Sequence, residues 1–218
     1  MVTNKAKVKV KICGITNLED ALASVRSGSD ALGFVFYRKS PRYITPWAAR
    51  AIIRRLPKRI AKIGVFVDAP EKSIKRVAKF CRLDVLQFHG QESPEFCKRF
   101  KGYKVIKAFR VKDGRELKNI LPYDTFAYLF DTFVKTKAGG TGKRFDWKLI
   151  RGFDRPVRKS GGLNRPIFVS GGLNEKNVKR AIAIAQPDWV DVSSGVEIKP
   201  GKKNHEKVKR FIAAAKKE

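Results

Sequence analysis

Short apolar, β-branched runs alternate along this chain with amphipathic stretches whose apolar positions recur every three or four residues. Runs of the first kind read as buried strands and those of the second as surface helices, so their alternation predicts repeated βα units around a parallel sheet. Strand-like runs fall at Val8–Ile12, Ala31–Phe36, Lys62–Val67, Val85–Phe88, Lys104–Phe109, Ala127–Asp131, Pro166–Ser170 and Trp189–Val192. The periodicity predicts helices after each, at 17–27, 46–55, 70–81, 93–101, 113–121, 145–152, 174–185 and 205–217.

Local signals mark several of these boundaries. Asn17 precedes Leu18-Glu19-Asp20 as a cap with acids in the first turn, where the helix N-terminus favours negative charge. Pro46 and Pro70 suit first turns. Asn174 is placed to cap the seventh helix, with Asn177 where a full capping box has Glu. Nothing resembles an interdomain linker, so residues 1–218 are expected to form one domain, an α/β fold of the (β/α)8 TIM-barrel type with a closed, parallel, eight-stranded sheet. The rival, an open doubly wound sheet, would carry a glycine-rich dinucleotide fingerprint after its first strand, and Cys13-Gly14-Ile15-Thr16 is not one. The run Ser160-Gly161-Gly162-Leu163-Asn164 duplicates 170–174, but only the second copy lies between a strand and a helix, so the first is expected to be a loop without chemistry.

Composition narrows the class. Hydrophobic residues make up 43% of the 218, enough for a large core. No apolar run approaches the roughly 18 residues that span a bilayer, and Met1–Lys7 lacks the apolar stretch of a signal peptide. A soluble, cytoplasmic protein with no membrane partner is expected. Three cysteines, Cys13, Cys81 and Cys97, lack metal or redox spacing, and the two histidines, His89 and His205, stand in unrelated contexts. Free thiols and no metal site follow. Lys and Arg total 49 against 20 acids, a formal charge of +29. Such an excess raises the question of nucleic acid. The basic residues, however, are spread over presumed outer helix faces and do not alternate with stacking aromatics, so no specific nucleic-acid partner is expected.

In barrels of this type the chemistry sits at the C-terminal ends of the strands. Three successive loops there carry glycine and hydroxyl residues: Gly139-Gly140-Thr141-Gly142, Ser170-Gly171-Gly172 and Ser193-Ser194-Gly195. Any one could be only a tight turn, but together they predict a phosphate site built of backbone N–H groups. Cys13 ends strand one, where a thiolate could act as base or nucleophile. Asp131 ends strand six behind Tyr128-Leu129-Phe130; partial burial would suit it to protonating a substrate oxygen. Arg42, after strand two, could clamp a carboxylate. His89 either hydrogen-bonds neighbouring loops or lines the cavity. Asp191 is either a structural acid or a cavity residue, and Asp68 reads as a loop cap.

These residues sit in motifs that resemble the phosphoribosylanthranilate isomerase family of tryptophan biosynthesis. Lys11-Ile12-Cys13-Gly14-Ile15-Thr16-Asn17, Ser40-Pro41-Arg42-Tyr43-Ile44, Leu86-Gln87-Phe88-His89-Gly90 and Phe130-Asp131-Thr132 follow its pattern in order. So do Gly139-Gly140-Thr141-Gly142, Ser170-Gly171-Gly172-Leu173-Asn174 and Asp191-Val192-Ser193-Ser194-Gly195. The resemblance implies an Amadori rearrangement of N-(5′-phosphoribosyl)anthranilate to the corresponding 1-amino-1-deoxyribulose 5-phosphate, without metal or organic cofactor. It implies Asp131 as general acid, Cys13 as base, Arg42 on the anthranilate carboxylate, and the loops of Gly142, Gly172 and Ser194-Gly195 on the phosphate. A small phosphorylated substrate and a monomer or homodimer are expected. Two alternatives stand beside it: the barrel isomerase of histidine biosynthesis, whose pattern has a pair of aspartates across the barrel whereas this chain has Cys13 at its first strand, and a basic barrel repurposed for nucleic acid.

Overall fold

A computed structural model of the chain describes residues 7–111, 120, 122–131, 147–151 and 165–217. Its strands are β1 (Lys9–Cys13), β2 (Ala31–Val35), β3 (Ala61–Phe66), β4 (Val85–Phe88), β5 (Lys104–Arg110), β6 (Ala127–Asp131), β7 (Ile167–Ser170) and β8 (Trp189–Val192). They form a closed barrel in sequence order. Every pairing is parallel, and β1 closes onto β8 with Lys11 opposite Asp191. Each boundary lies within one residue of its expected place.

Helices α1 (Leu18–Arg26), α2 (Pro46–Ile53), α3 (Glu71–Cys81), α4 (Pro94–Lys98), α5 (148–151), α6 (Val178–Ala185) and α7 (His205–Lys216) connect the strands. The helix expected at 113–121 falls almost wholly outside the described residues. Asn17 caps α1 by accepting from the Asp20 N–H, and Thr45 caps α2 with Pro46 at its first position. Pro70 is itself the cap of α3 rather than a first-turn residue, its backbone still extended at ψ 140°. The regular helix α6 starts later than expected, after Asn177, which makes no side-chain cap bond, while the Asn174 side chain accepts from the Lys176 N–H. Asn174 folds instead into a turn, its carbonyl accepting from Asn177 and Val178 and its own N–H bonding the Asn177 side chain. That reciprocal bond is the back half of a capping box, displaced one turn ahead of the regular helix.

Strand alternation sorts side chains to two cores. Ala31, Ile63, Val85, Ile106, Leu129 and Phe168 point into the barrel and fill it, while Val10, Ile12, Leu86, Phe130 and Val190 point outward under the helices. Trp189 stacks on Phe168 at 4.8 Å near the N-terminal end, and a cavity lies at the other end, where the strands finish. On β1 the inward set is Lys9, Lys11 and Cys13, so the alternation that aims the thiol at the mouth also sends a lysine into the interior. After β8 a short 3-10 turn (Ser194–Val196) leads to an antiparallel hairpin of β9 (Glu197–Lys199) and β10 (Lys202–Lys203), which the periodicity did not predict.

Candidate active site

The loops after β7 and β8 enclose a cavity of about 370 Å³ lined by Arg42, Asp131, Gly171, Gly172, Asp191, Ser194 and Gly195, among others. Seven of the expected site residues therefore meet in one place. Gly171 and Gly172 hold φ of 92° and 64°, left-handed values that a side chain resists. Two such residues in a row turn the chain sharply at the end of β7, the kind of turn from which backbone N–H groups can face an anion. Asp191 Oδ1 and Ser193 Oγ are buried without a hydrogen-bond partner among the described residues, so two polar groups border this cavity with bonding capacity to spare. Gly142 lies outside the described residues.

Asp131 enters the mouth from the end of β6. Its Oδ2 lies 3.2 Å from His89 Nε2, and His89 Nδ1 lies 3.0 Å from the Gln87 side-chain amide. With the amide nitrogen of Gln87 as donor, Nδ1 accepts and Nε2 carries the proton to the carboxylate. His89 thus lies beside the cavity and fixes the orientation of Asp131. Asp68, at φ 48°, bridges neighbouring loops by accepting from the Gln91 N–H, as a loop cap does.

Cys13 ends β1 partly exposed, whereas Cys81 and Cys97 are buried and packed, their thiols pushed up to about 11 by burial. Gly33 lies opposite Cys13 on β2. A Cβ at Gly33 would come within 2.7 Å of the Cys13 sulfur, so this glycine makes the room the thiol occupies. Beneath the thiol, fully buried Lys11 donates to Asp191 Oδ2 at 2.8 Å, and its Cε and the Cys13 sulfur flank the same space over Gly33. Burial works against the Lys11 charge, but Asp191 and Cys13 more than offset it and raise its pKa above 10.5. For Cys13 burial wins: its pKa is raised above 9.0 although Lys11 and Lys203 oppose the shift.

A second buried lysine ties the mouth to the hairpin. Lys203 Nζ donates to the Cys13 carbonyl at 2.6 Å, to the Ser193 carbonyl at 3.3 Å and to Glu197 Oε1 at 2.8 Å. Glu197 also takes both Nε and Nη2 of Arg42, at 2.9 and 2.7 Å. Burial would favour the neutral acid, but the bonds from Arg42 and Lys203 prevail and hold the Glu197 carboxyl below its ordinary range. Arg42 is therefore no loose surface charge. Lys11, Glu197 and Lys203 stand within or beside the motifs that carry the resemblance, but sequence alone assigns them no role. For Lys11 a signal existed, a lysine on the inward period of an apolar strand; for the other two no local pattern says where the hairpin folds back.

Among the described residues no group of His, Cys, Asp and Glu could hold a metal ion, and no helix is long and apolar enough to cross a membrane. Fold and cavity together define the class: a closed (β/α)8 barrel with a polar cavity at its strand ends. A family model described as N-(5′-phosphoribosyl)anthranilate (PRA) isomerase matches residues 10–214. The N-(5′-phosphoribosyl)anthranilate isomerase of Geobacter sp. (strain M21) is 50% identical over 212 residues, 96% of this chain and 98% of its own. The crystal structure of phosphoribosyl anthranilate isomerase from Thermotoga maritima superposes with a TM-score of 0.86 at 48% identity, covering 96% and 98% of the two chains. Another structure of such an isomerase, 47% identical with a TM-score of 0.84 over 96% and 98%, holds reduced 1-(o-carboxyphenylamino)-1-deoxyribulose 5-phosphate. The chain belongs to the phosphoribosylanthranilate isomerase family.

Proposed function

We propose that this chain isomerises N-(5′-phosphoribosyl)anthranilate by an Amadori rearrangement, as a cytoplasmic step of tryptophan biosynthesis, with Asp131 as general acid and Cys13 as base. One observation carries the assignment of roles: the His89-oriented carboxylate of Asp131 lines the cavity together with the glycine turns, and the half-buried Cys13 ends β1 at the same end of the barrel.

The backbone of the Gly171-Gly172 turn and the Ser194-Gly195 turn binds the 5-phosphate, with Gly142 contributing from the preceding loop. Arg42 binds the anthranilate carboxylate; Glu197 takes Nε and Nη2, which leaves Nη1 for that contact. Asp131, in its acid form with the proton on the oxygen that His89 does not hold, gives that proton to the ribose ring oxygen as the C1–O bond breaks, and the anthranilate nitrogen lone pair forms the iminium. The iminium acidifies the C2 proton, which the Cys13 thiolate removes, leaving an enolamine that tautomerises to the ketone. Cys13 needs this partner: burial raises its pKa at rest, and a cation forming beside the thiol favours its ionised state. Asp191 borders the sugar from the end of β8. The protein acts as a monomer or homodimer, states that sedimentation distinguishes.

The test is conversion of the fluorescent substrate by purified protein in excess chelator. Loss of anthranilate fluorescence at a rate proportional to protein is expected. No turnover, or turnover only of the histidine-pathway aminoaldose, would overturn the assignment.

A further inference from the structure

The Lys11–Asp191 pair is a buried ion pair that the proposed chemistry does not use. Lys11 is completely buried, and the Asp191 side chain is 5% exposed. Such a pair is a poor source of stability, because removing two charges from water costs about what their attraction returns. Its position suggests a different use. Lys11 and Cys13 are two residues apart on β1, so both point inward, one layer above the other. Asp191 is the register partner of Lys11 on β8. It takes the ammonium on one side, while the charge of Cys13 acts on Lys11 from the other. Gly33, whose Cβ would lie 3.1 Å from Lys11 Cε and 2.7 Å from the Cys13 sulfur, lets the two side chains share this space.

We propose that Lys11 is a positioning residue for the base: its ammonium, steadied by Asp191, faces the Cys13 thiol and supplies the positive charge against which the thiolate forms. The proposal rests on Cys13 being the base. The charged groups around the thiol are Lys11 from β1, Asp191 from β8 and Lys203 from the hairpin. Lys203 is already committed to Glu197 and two backbone carbonyls. Lys11 has a single carboxylate partner, and that carboxylate has an oxygen to spare. Lys11 is therefore the cation that can serve the sulfur, and Asp191 sets how much of its charge the sulfur feels.

Alkylation of Cys13 by iodoacetamide, followed across pH by mass spectrometry of the Cys13 peptide, reads the thiolate directly. Lys11→Met alone would leave a buried carboxylate unpaired and could unfold the protein. The comparison is therefore made in the Asp191→Asn background, where that carboxylate is gone. Asp191→Asn in turn leaves Lys11 without its carboxylate, so both variants are first shown by circular dichroism to be folded. Asp191→Asn should move the alkylation profile to lower pH, since an anion has left the thiol and Lys11 has no other carboxylate. Adding Lys11→Met should then slow alkylation at a fixed neutral pH on the order of tenfold or more, the effect of losing one nearby charge. Equal alkylation profiles in the single and double variants would overturn the proposal. The alkylation readout does not depend on turnover. Full activity in Cys13→Ala would remove the base assignment while leaving the Lys11–Cys13 coupling measured, so the two failures are distinguishable.

Discussion

Arg42 and Glu197, 155 positions apart, form a two-pronged ion pair in which Nε and Nη2 of the guanidinium meet both carboxylate oxygens. Glu197 is buried and Arg42 about three-quarters so, with side-chain exposures of 4% and 23%. The loop after β2 is thereby held to the hairpin after β8, and the guanidinium has a fixed aim. Fixing a group before its ligand arrives spares the ordering cost at binding.

Glu197→Gln removes one prong's charge and leaves Lys203 as a buried cation without its carboxylate. Breaking a buried pair in this way costs about 3–5 kcal/mol, which urea denaturation would show as a lower midpoint. The remaining folded enzyme should show a raised KM with kcat changed less, because Arg42 binds the part of the substrate that does not react. An unchanged KM would mean that Arg42 needs no such support.

Acid should loosen the same end of the barrel. Burial disfavours charge on both Asp20 and Glu197. Asp20 is nevertheless held below its ordinary 3.8 by the Lys203 backbone N–H and the side chains of Asn17, His205 and Lys202, and Glu197 below its ordinary 4.5 by Arg42 and Lys203. A carboxyl depressed on folding contributes stability that is complete above its unfolded value and is lost as pH falls through the folded one. Denaturation midpoints should thus be flat for these groups near neutrality and fall below pH 4.5, starting with Glu197. Asp20→Asn should shrink that fall and lower the neutral-pH midpoint.

Gly33→Ala tests how tightly the base is housed. Its Cβ would meet the Cys13 sulfur at 2.7 Å and both the Cys13 Cα and Lys11 Cε at 3.1 Å. Flexible Lys11 can yield, but a strand Cα cannot. Overpacking of this kind costs about 1–3 kcal/mol, and the displaced thiol should lower kcat with little change in KM. Steady-state kinetics beside a melting curve separates the two effects.

His89→Ala removes the partner that orients Asp131. The carboxylate would remain but lose its aim, so kcat should fall less than on removal of Asp131 itself. Substitution by Gln, which can still donate to the carboxylate, should recover part of the loss. Equal rates in the Ala and Gln variants would leave His89 without an orienting part.

Much of this architecture was legible in the sequence because it follows from local periodicity. Buried strands are continuous apolar runs, so all eight were found to within one residue. Cys13 and Asp131 stood out because a strand end is where a barrel exposes reactive groups. The cap at Asn17 was equally local. Longer-range relationships were not legible. Glu197 meets Arg42 only after the hairpin folds back across the end of β1, and Lys203 reads in sequence as one more cation in a chain with 49 lysines and arginines. Asn174 shows the same limit on a smaller scale. Its cap chemistry is present, but the regular helix starts at Val178 because three residues of turn intervene.

The central claim is that a thiol at the end of β1 and a carboxylate at the end of β6, both at the same mouth of the barrel, move the protons of the rearrangement. It is tested most directly by kcat/KM of Cys13→Ala against wild type in the fluorescence assay, on protein shown to be folded. Loss of a positioned base should reduce it by about 10²–10⁴-fold, and Asp131→Ala should fall in the same range. Wild-type kcat/KM in Cys13→Ala would contradict the mechanism outright.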